Sequence, residues 1–125
     1  MEKVRKLPDA EFSVMKVVWE LEPPVTTSEI MQRLGNEKEW KIQTVVSLML
    51  RLVERGYLRS EKHGKERTYY PLIRKESYLK FETGDFIKRF HNNSVLSLVS
   101  SMYDGEELSD DDIDELLKWA KERRG

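Results

Sequence analysis

The sequence predicts a mainly α-helical chain with one small β-hairpin, and three observations carry that prediction. Apolar residues recur at three- and four-residue spacing through most of the chain. One segment, residues 57–70, instead reads as two short strands around a Gly-containing turn. Helix stop and start signals, at Pro23-Pro24, Gly35, Gly56, Asn92-Asn93 and Ser109, punctuate the rest at helix-length intervals.

Taken in order, residues 1–6 are a basic arm expected to be mobile. Pro8-Asp9-Ala10-Glu11 opens the first helix, with proline in its first turn and acids near the positive end of the dipole. Phe12, Met15, Val18, Trp19 and Leu21 form its core face, and Pro23-Pro24 stops it. Val25-Thr26 is a strand of one or two residues. Thr27, or Thr26, caps a second helix from Ser28 to Leu34, which Gly35 closes. A turn at 36–39 leads to the third helix, Lys41 to Arg55, ended by Gly56. Tyr57 to Glu61 and Arg67 to Tyr70 are strands flanking the turn His63-Gly64-Lys65.

The third helix carries the sharpest pattern. Projected at about 100° per residue, Gln43, Thr44, Ser47, Arg51, Glu54 and Arg55 share one arc. Val45, Leu48, Met49 and Leu52 form the opposite stripe, with Val46 and Leu50 on the border. Helix, glycine and hairpin in that order, following two shorter helices, is the arrangement of a winged helix-turn-helix. The charge agrees with it. Residues 38–67 carry 8 Lys/Arg against 4 Asp/Glu, whereas residues 104–115 carry 8 Asp/Glu and no base. An anionic partner therefore belongs to the first half of the chain, although the net charge is −1.

The candidate base-contacting residues are Gln43, Val46 and Ser47. Gln43 can pair with adenine N6 and N7, Ser47 can donate or accept, and Val46 can touch a thymine methyl. The candidate phosphate contacts are Lys41, Thr44, Arg51 and Arg55 on the helix and Lys65 and Arg67 in the hairpin. Thr27 and Ser28 join them at a helix start whose backbone amides face an anion. The partner expected is double-stranded operator DNA. The alternative reading is a winged helix that binds another protein without reading DNA.

Composition shifts after residue 73. A domain of residues 1–73 therefore precedes a three-helix region of residues 74–125. Its first helix, 74–91, holds Tyr78, Phe81, Phe86, Ile87 and Phe90. Ser94 starts the second, and Tyr103-Asp104-Gly105 is a loop. Ser109 caps the last, with acids in its first turn and bases in its last. The apolar residues Val95, Leu98, Val99, Met102, Ile113, Leu116, Leu117 and Ala120 exceed what so short an appendage can bury alone. They are the expected interface of a homodimer with interdigitated C-terminal helices.

Enzyme chemistry finds no support. There is no cysteine, so disulfides and thiolate metal sites are excluded. His63 and His91 lack nearby carboxylates at ligand spacing, so no metal is expected. The sequence has neither a phosphate-binding glycine loop nor a nucleophile motif, and no cofactor is expected. Without an apolar run of membrane length or a signal-peptide core, a cytoplasmic chain with no membrane insertion is expected.

Several segments together resemble one family. PDAEFSVMKVVW, WKIQTVVSLMLRLVERGYL, RTYY and ELSDDDIDELLKWAK occur in the order and spacing of the penicillinase-repressor family, over about residues 7–121. The resemblance implies a dimeric winged-helix repressor of a palindromic operator, with a role in antibiotic resistance. In one branch, a pathway running from a membrane sensor to a regulatory protease cleaves the C-terminal region. In the copper branch a cysteine hook binds metal, and a cysteine-free chain cannot use it. The family's Asn-Phe scissile pair is absent; ungapped alignment from Asp85-Phe86-Ile87 puts it at Ser101-Met102. At position 43 the family often has Lys or Arg, and here Gln43 implies a different base or fewer phosphate contacts.

Overall fold

A computed structural model describes residues 3–125. The element order is α1 (Asp9–Val18), β1 (Val25–Thr26), α2 (Thr27–Ile30), a π-helical turn (Met31–Gly35), α3 (Asn36–Lys38), α4 (Ile42–Glu54), β2 (Leu58–His63), β3 (Glu66–Pro71), α5 (Lys75–His91), α6 (Val95–Asp104) and α7 (Asp110–Arg124). Two compact units result, one running up to Glu82 and one spanning Thr83–Gly125. The first unit includes the start of α5, beyond the change in composition at residue 73.

In the first unit α1, the second helix and α4 enclose a core of Val14, Met15, Val18, Ile30, Val45, Met49 and Leu52, all fully buried. Val14 and Val17 widen the face of α1 beyond the stripe read from the sequence. The three strands form an antiparallel sheet in the order β1-β3-β2, with Val25 opposite Tyr69 and Ser60 opposite Tyr69 on the other side. The hairpin turns through Gly64-Lys65. Gly64 at φ +65° supplies the left-handed first position that such a two-residue turn requires.

The second helix corrects the expected stop at Gly35. Gly35 is buried and right-handed helical, at φ −54° and ψ −51°. A Cβ there would lie 2.9 Å from the Met31 methyl, the flexible end of a side chain that can move aside, so glycine sits here inside the helix without ending it. The helix passes through its π-helical turn and ends at Lys38. Glu39 takes the left-handed conformation instead, at φ 56°. The Trp40 amide then bonds the Gly35 carbonyl at 3.0 Å, the long-range bond of a Schellman ending. At the other end Thr26, the second of the two candidate caps, forms a capping box with Glu29.

Residues 3–6 are not a free arm, while residues 1 and 2 lie outside the described residues. The Tyr57 hydroxyl accepts from the Arg5 amide at 3.1 Å and donates to the Arg5 carbonyl. The Leu7 amide donates to the Tyr78 hydroxyl at 3.0 Å, which itself donates to Glu82 at 2.6 Å. Burial, together with the Glu82 carboxylate, holds the Tyr78 hydroxyl well above the usual phenol range. Around Tyr78 stand Phe12, Trp19, Tyr57 and Phe81, with ring centroids 5.6–6.3 Å away. This aromatic cluster is why the start of α5 belongs with the first unit.

In the second unit Asn92 and Asn93, both at positive φ, end the α5 helix as expected. Ser94 and Ser109 cap α6 and α7 through the amides of Ser97 and Asp112. The loop expected at 103–105 begins later, because Tyr103 and Asp104 complete the last turn of α6. Few apolar side chains are covered here. Val95 is 64% exposed, Leu116 46% and Leu117 63%. Met102, Leu108, Leu116 and Trp119 line an apolar cleft of about 500 Å³ edged by Glu107, Asp112 and Glu115.

Candidate nucleic-acid interface

The amphipathic character of α4 creates the site. Its apolar stripe, Val45, Leu48, Met49 and Leu52, is buried in the first unit. That leaves Gln43, Thr44, Ser47 and Arg51 exposed along the opposite face, with Lys41 at the N-cap. Ser47 and Arg51 follow Gln43 at four-residue intervals, so the three line up along the helix. The border residues fall outside the core: Val46 is 46% exposed and Leu50 57%. Among the described residues, none of the Gln43, Ser47 or Arg51 side chains has a hydrogen-bond or ion-pair partner.

Gly56, at φ +83°, ends α4 and turns the chain into β2. The Tyr57 amide bonds the Leu52 carbonyl at 2.9 Å, fixing that turn. The hairpin places Lys65 at its tip, exposed and unpaired among the described residues. Arg67 is also exposed and donates to the Ser60 hydroxyl at 3.1 Å. In register with Arg67 is Lys62, a cation that the sequence reading did not single out. A two-residue loop at Gly64-Lys65 would have set this register. Two cations facing each other across a ladder repel, and an anion between them would remove that cost.

Arg59 and Glu61 in the hairpin are matched to each other. Arg59 pairs with Glu61 at 2.5 Å and holds that carboxyl below its usual range. Arg59 also lies 4.3 Å over the Tyr70 ring. Tyr69 is buried and belongs to the core of the first unit. Thr27 and Ser28 stand in the first turn of α2, Thr27 half-buried and Ser28 exposed.

Arg55, expected on a phosphate, is held by a carboxylate of α1. Its Nε donates to Glu11 at 2.5 Å, and Nη2 lies 3.4 Å from the second carboxylate oxygen. Glu11 is 1% exposed, the most deeply buried charge among the described residues. In the sequence Glu11 shows only as an acid in a helix's first turn. Its partner lies 44 positions away, beyond any local signal. Arg55 also lines a recess of about 380 Å³ with Arg5, Arg51 and Glu54.

Among the described residues no group of His, Asp and Glu is placed to hold a metal ion. No helix among them is long and apolar enough to cross a membrane.

Comparison with known proteins agrees with the geometry. The family model described as penicillinase repressor matches residues 7–122. The penicillinase repressor of Bacillus licheniformis is 31% identical over 124 residues, covering 99% of this chain and 96% of that protein. The methicillin resistance regulatory protein MecI of Staphylococcus aureus (strain N315) is 30% identical over 115 residues, 91% of this chain and 92% of that one. Among solved structures, the DNA-binding domain of the repressor BlaI matches with a TM-score of 0.53 at 33% identity. It covers 62% of this chain and 94% of that domain. Monomeric Bacillus licheniformis BlaI in complex with the blaP half-operator matches with a TM-score of 0.51, at the same identity and coverage. An exposed polar helix face beside a cationic hairpin, on a chain similar to these repressors over nearly its whole length, places it in one family: this chain belongs to the penicillinase repressors, DNA-binding transcriptional regulators and not enzymes.

Proposed function

We propose that this chain represses transcription as a homodimer bound to a palindromic operator, each copy reading one half-site through α4 and the hairpin. The observation that carries the reading is the free face of α4: Gln43, Val46 and Ser47 are exposed beside unpaired cations, on a helix whose other side is core. The BlaI–half-operator complex, similar in fold at 33% identity, supports it. In this reading Gln43, Val46 and Ser47 meet base edges. Lys41, Thr44, Arg51, Lys65 and Arg67 meet phosphates, and so do the amides at Thr27 and Ser28. Arg55 is left out of the set, because Glu11 engages it.

Dimerisation would be the work of α6 and α7. Val95, Leu98, Val99, Met102, Ile113, Leu116, Leu117 and Ala120 would cover one another's apolar surface across a two-fold axis. Release through a membrane sensor and a regulatory protease, which the family suggests, would fall at Ser101-Met102. Both residues lie inside α6, Ser101 exposed and Met102 half-buried. A protease that needs an extended backbone would have to unwind that helix first.

The test is an anisotropy titration against the chain's own promoter and a random duplex, at two salt concentrations. Promoter preference with a salt slope of several units is expected, from counterion release. Binding that is indifferent to sequence would reject the repressor reading. Gln43→Ala should lose about 1–3 kcal/mol on the promoter and relax the choice at one base pair; equal losses on both duplexes would rule out base reading. Lys65→Ala should weaken both duplexes alike and lower the salt slope by about one. An unchanged slope would take Lys65 off the backbone.

A further inference from the structure

We infer that Arg5 and Arg51 form a second phosphate cradle, at the C-terminal end of the reading helix and away from the hairpin. The inference rests on the DNA-binding reading above and adds to it a residue from outside the helix and hairpin. Arg5, Arg51, Glu54 and Arg55 line one recess of about 380 Å³. Arg51 is the last member of the exposed Gln43–Ser47–Arg51 row, so the recess closes the face that would lie along the duplex. Arg55 is neutralised by Glu11 and forms a wall. Glu54 brings one carboxylate to the rim. Arg5 and Arg51 remain, two exposed guanidinium groups with no ion-pair partner among the described residues.

Arg5 is also held where it is useful. A terminal arm is ordinarily a poor ligand, because ordering it on binding costs conformational entropy. Here the buried Tyr57 hydroxyl grips the Arg5 peptide from both sides, accepting from its amide and donating to its carbonyl. Lys6 pairs with Glu82 at 3.8 Å on the next residue. The backbone is therefore fixed before DNA arrives and only the Arg5 side chain has to settle. Arg5 and Arg51 line one recess, and planar guanidinium forks match the oxygens of a phosphodiester.

Arg5→Ala and Lys3→Ala, each in the full chain, test the cradle by titration on promoter and random duplex over a salt series. Arg5→Ala should weaken both duplexes by the same factor, about fivefold as for a strong exposed ion pair, and lower the salt slope by about one. Lys3→Ala, which removes a neighbouring charge of the same arm, should do neither. Equal effects from the two would mean that the arm contributes only diffuse charge, and would overturn the cradle. So would an Arg5→Ala protein with wild-type slope and promoter preference, which would leave the repressor reading standing. A wild type indifferent to promoter sequence would instead defeat the repressor reading, and the cradle with it.

Discussion

Arg55→Met should lower the free energy of unfolding by about 3–5 kcal/mol, the cost of leaving a buried charge without its partner. The stranded group is Glu11, 1% exposed, whose carboxylate oxygens face Nε and Nη2 of Arg55. Replacing the pair together, by Glu11→Leu with Arg55→Met, should recover most of the loss, because an apolar pair of similar volume has no desolvation cost to offset. Urea denaturation of the single and double variants checks both statements. A single-variant loss below about 1 kcal/mol, the range of surface pairs, would show that Glu11 finds other solvation. The same proteins bear on DNA binding. At a concentration where the variant is folded, its salt slope should equal that of the wild type, whereas a phosphate contact at Arg55 would reduce the slope by about one.

Leu116→Asp should turn the proposed dimer into a monomer and reduce operator affinity by about 10²–10⁴-fold, the avidity of a linked second half-site. Leu116 is 46% exposed and borders the apolar cleft between α6 and α7, so a carboxylate there leaves the first unit's core untouched. The circular dichroism of the reading unit should be unchanged, and binding to an isolated half-site should keep the wild-type affinity. Sedimentation equilibrium decides the case. A variant with the wild-type mass in solution would place the interface elsewhere and reopen the account of the exposed side chains on α6 and α7.

The fold was legible where physics is local. Apolar periodicity in α1 and α4, glycine at Gly56 and Gly64, and serine caps at Ser94 and Ser109 each act within a few residues. Gly35 misled because a lone glycine is also tolerated inside a helix. A helix terminus wants its positive φ, but Gly35 sits in a right-handed turn at φ −54°. Glu39 took the left-handed position that glycine was expected to fill. Contacts distant in sequence were not legible. Glu11 with Arg55, Tyr57 with Arg5 and Tyr78 with Leu7 join residues 44, 52 and 71 positions apart. The candidate site divides along the same line. The polar row on α4 could be projected from spacing alone, whereas the engagement of Arg55 and the anchoring of Arg5 depend on which helices meet.

The facing pair Lys62 and Arg67 has a consequence for how this hairpin can change over generations. A neutral or acidic residue at either position would relieve repulsion and favour the free protein. The same change would remove a cation from the surface proposed to meet DNA. Selection for a durable fold and selection for a tightly held operator therefore pull these two sites in opposite directions. Variants chosen only for thermal resistance can lose charge here, and their gain in robustness would be taken from repression.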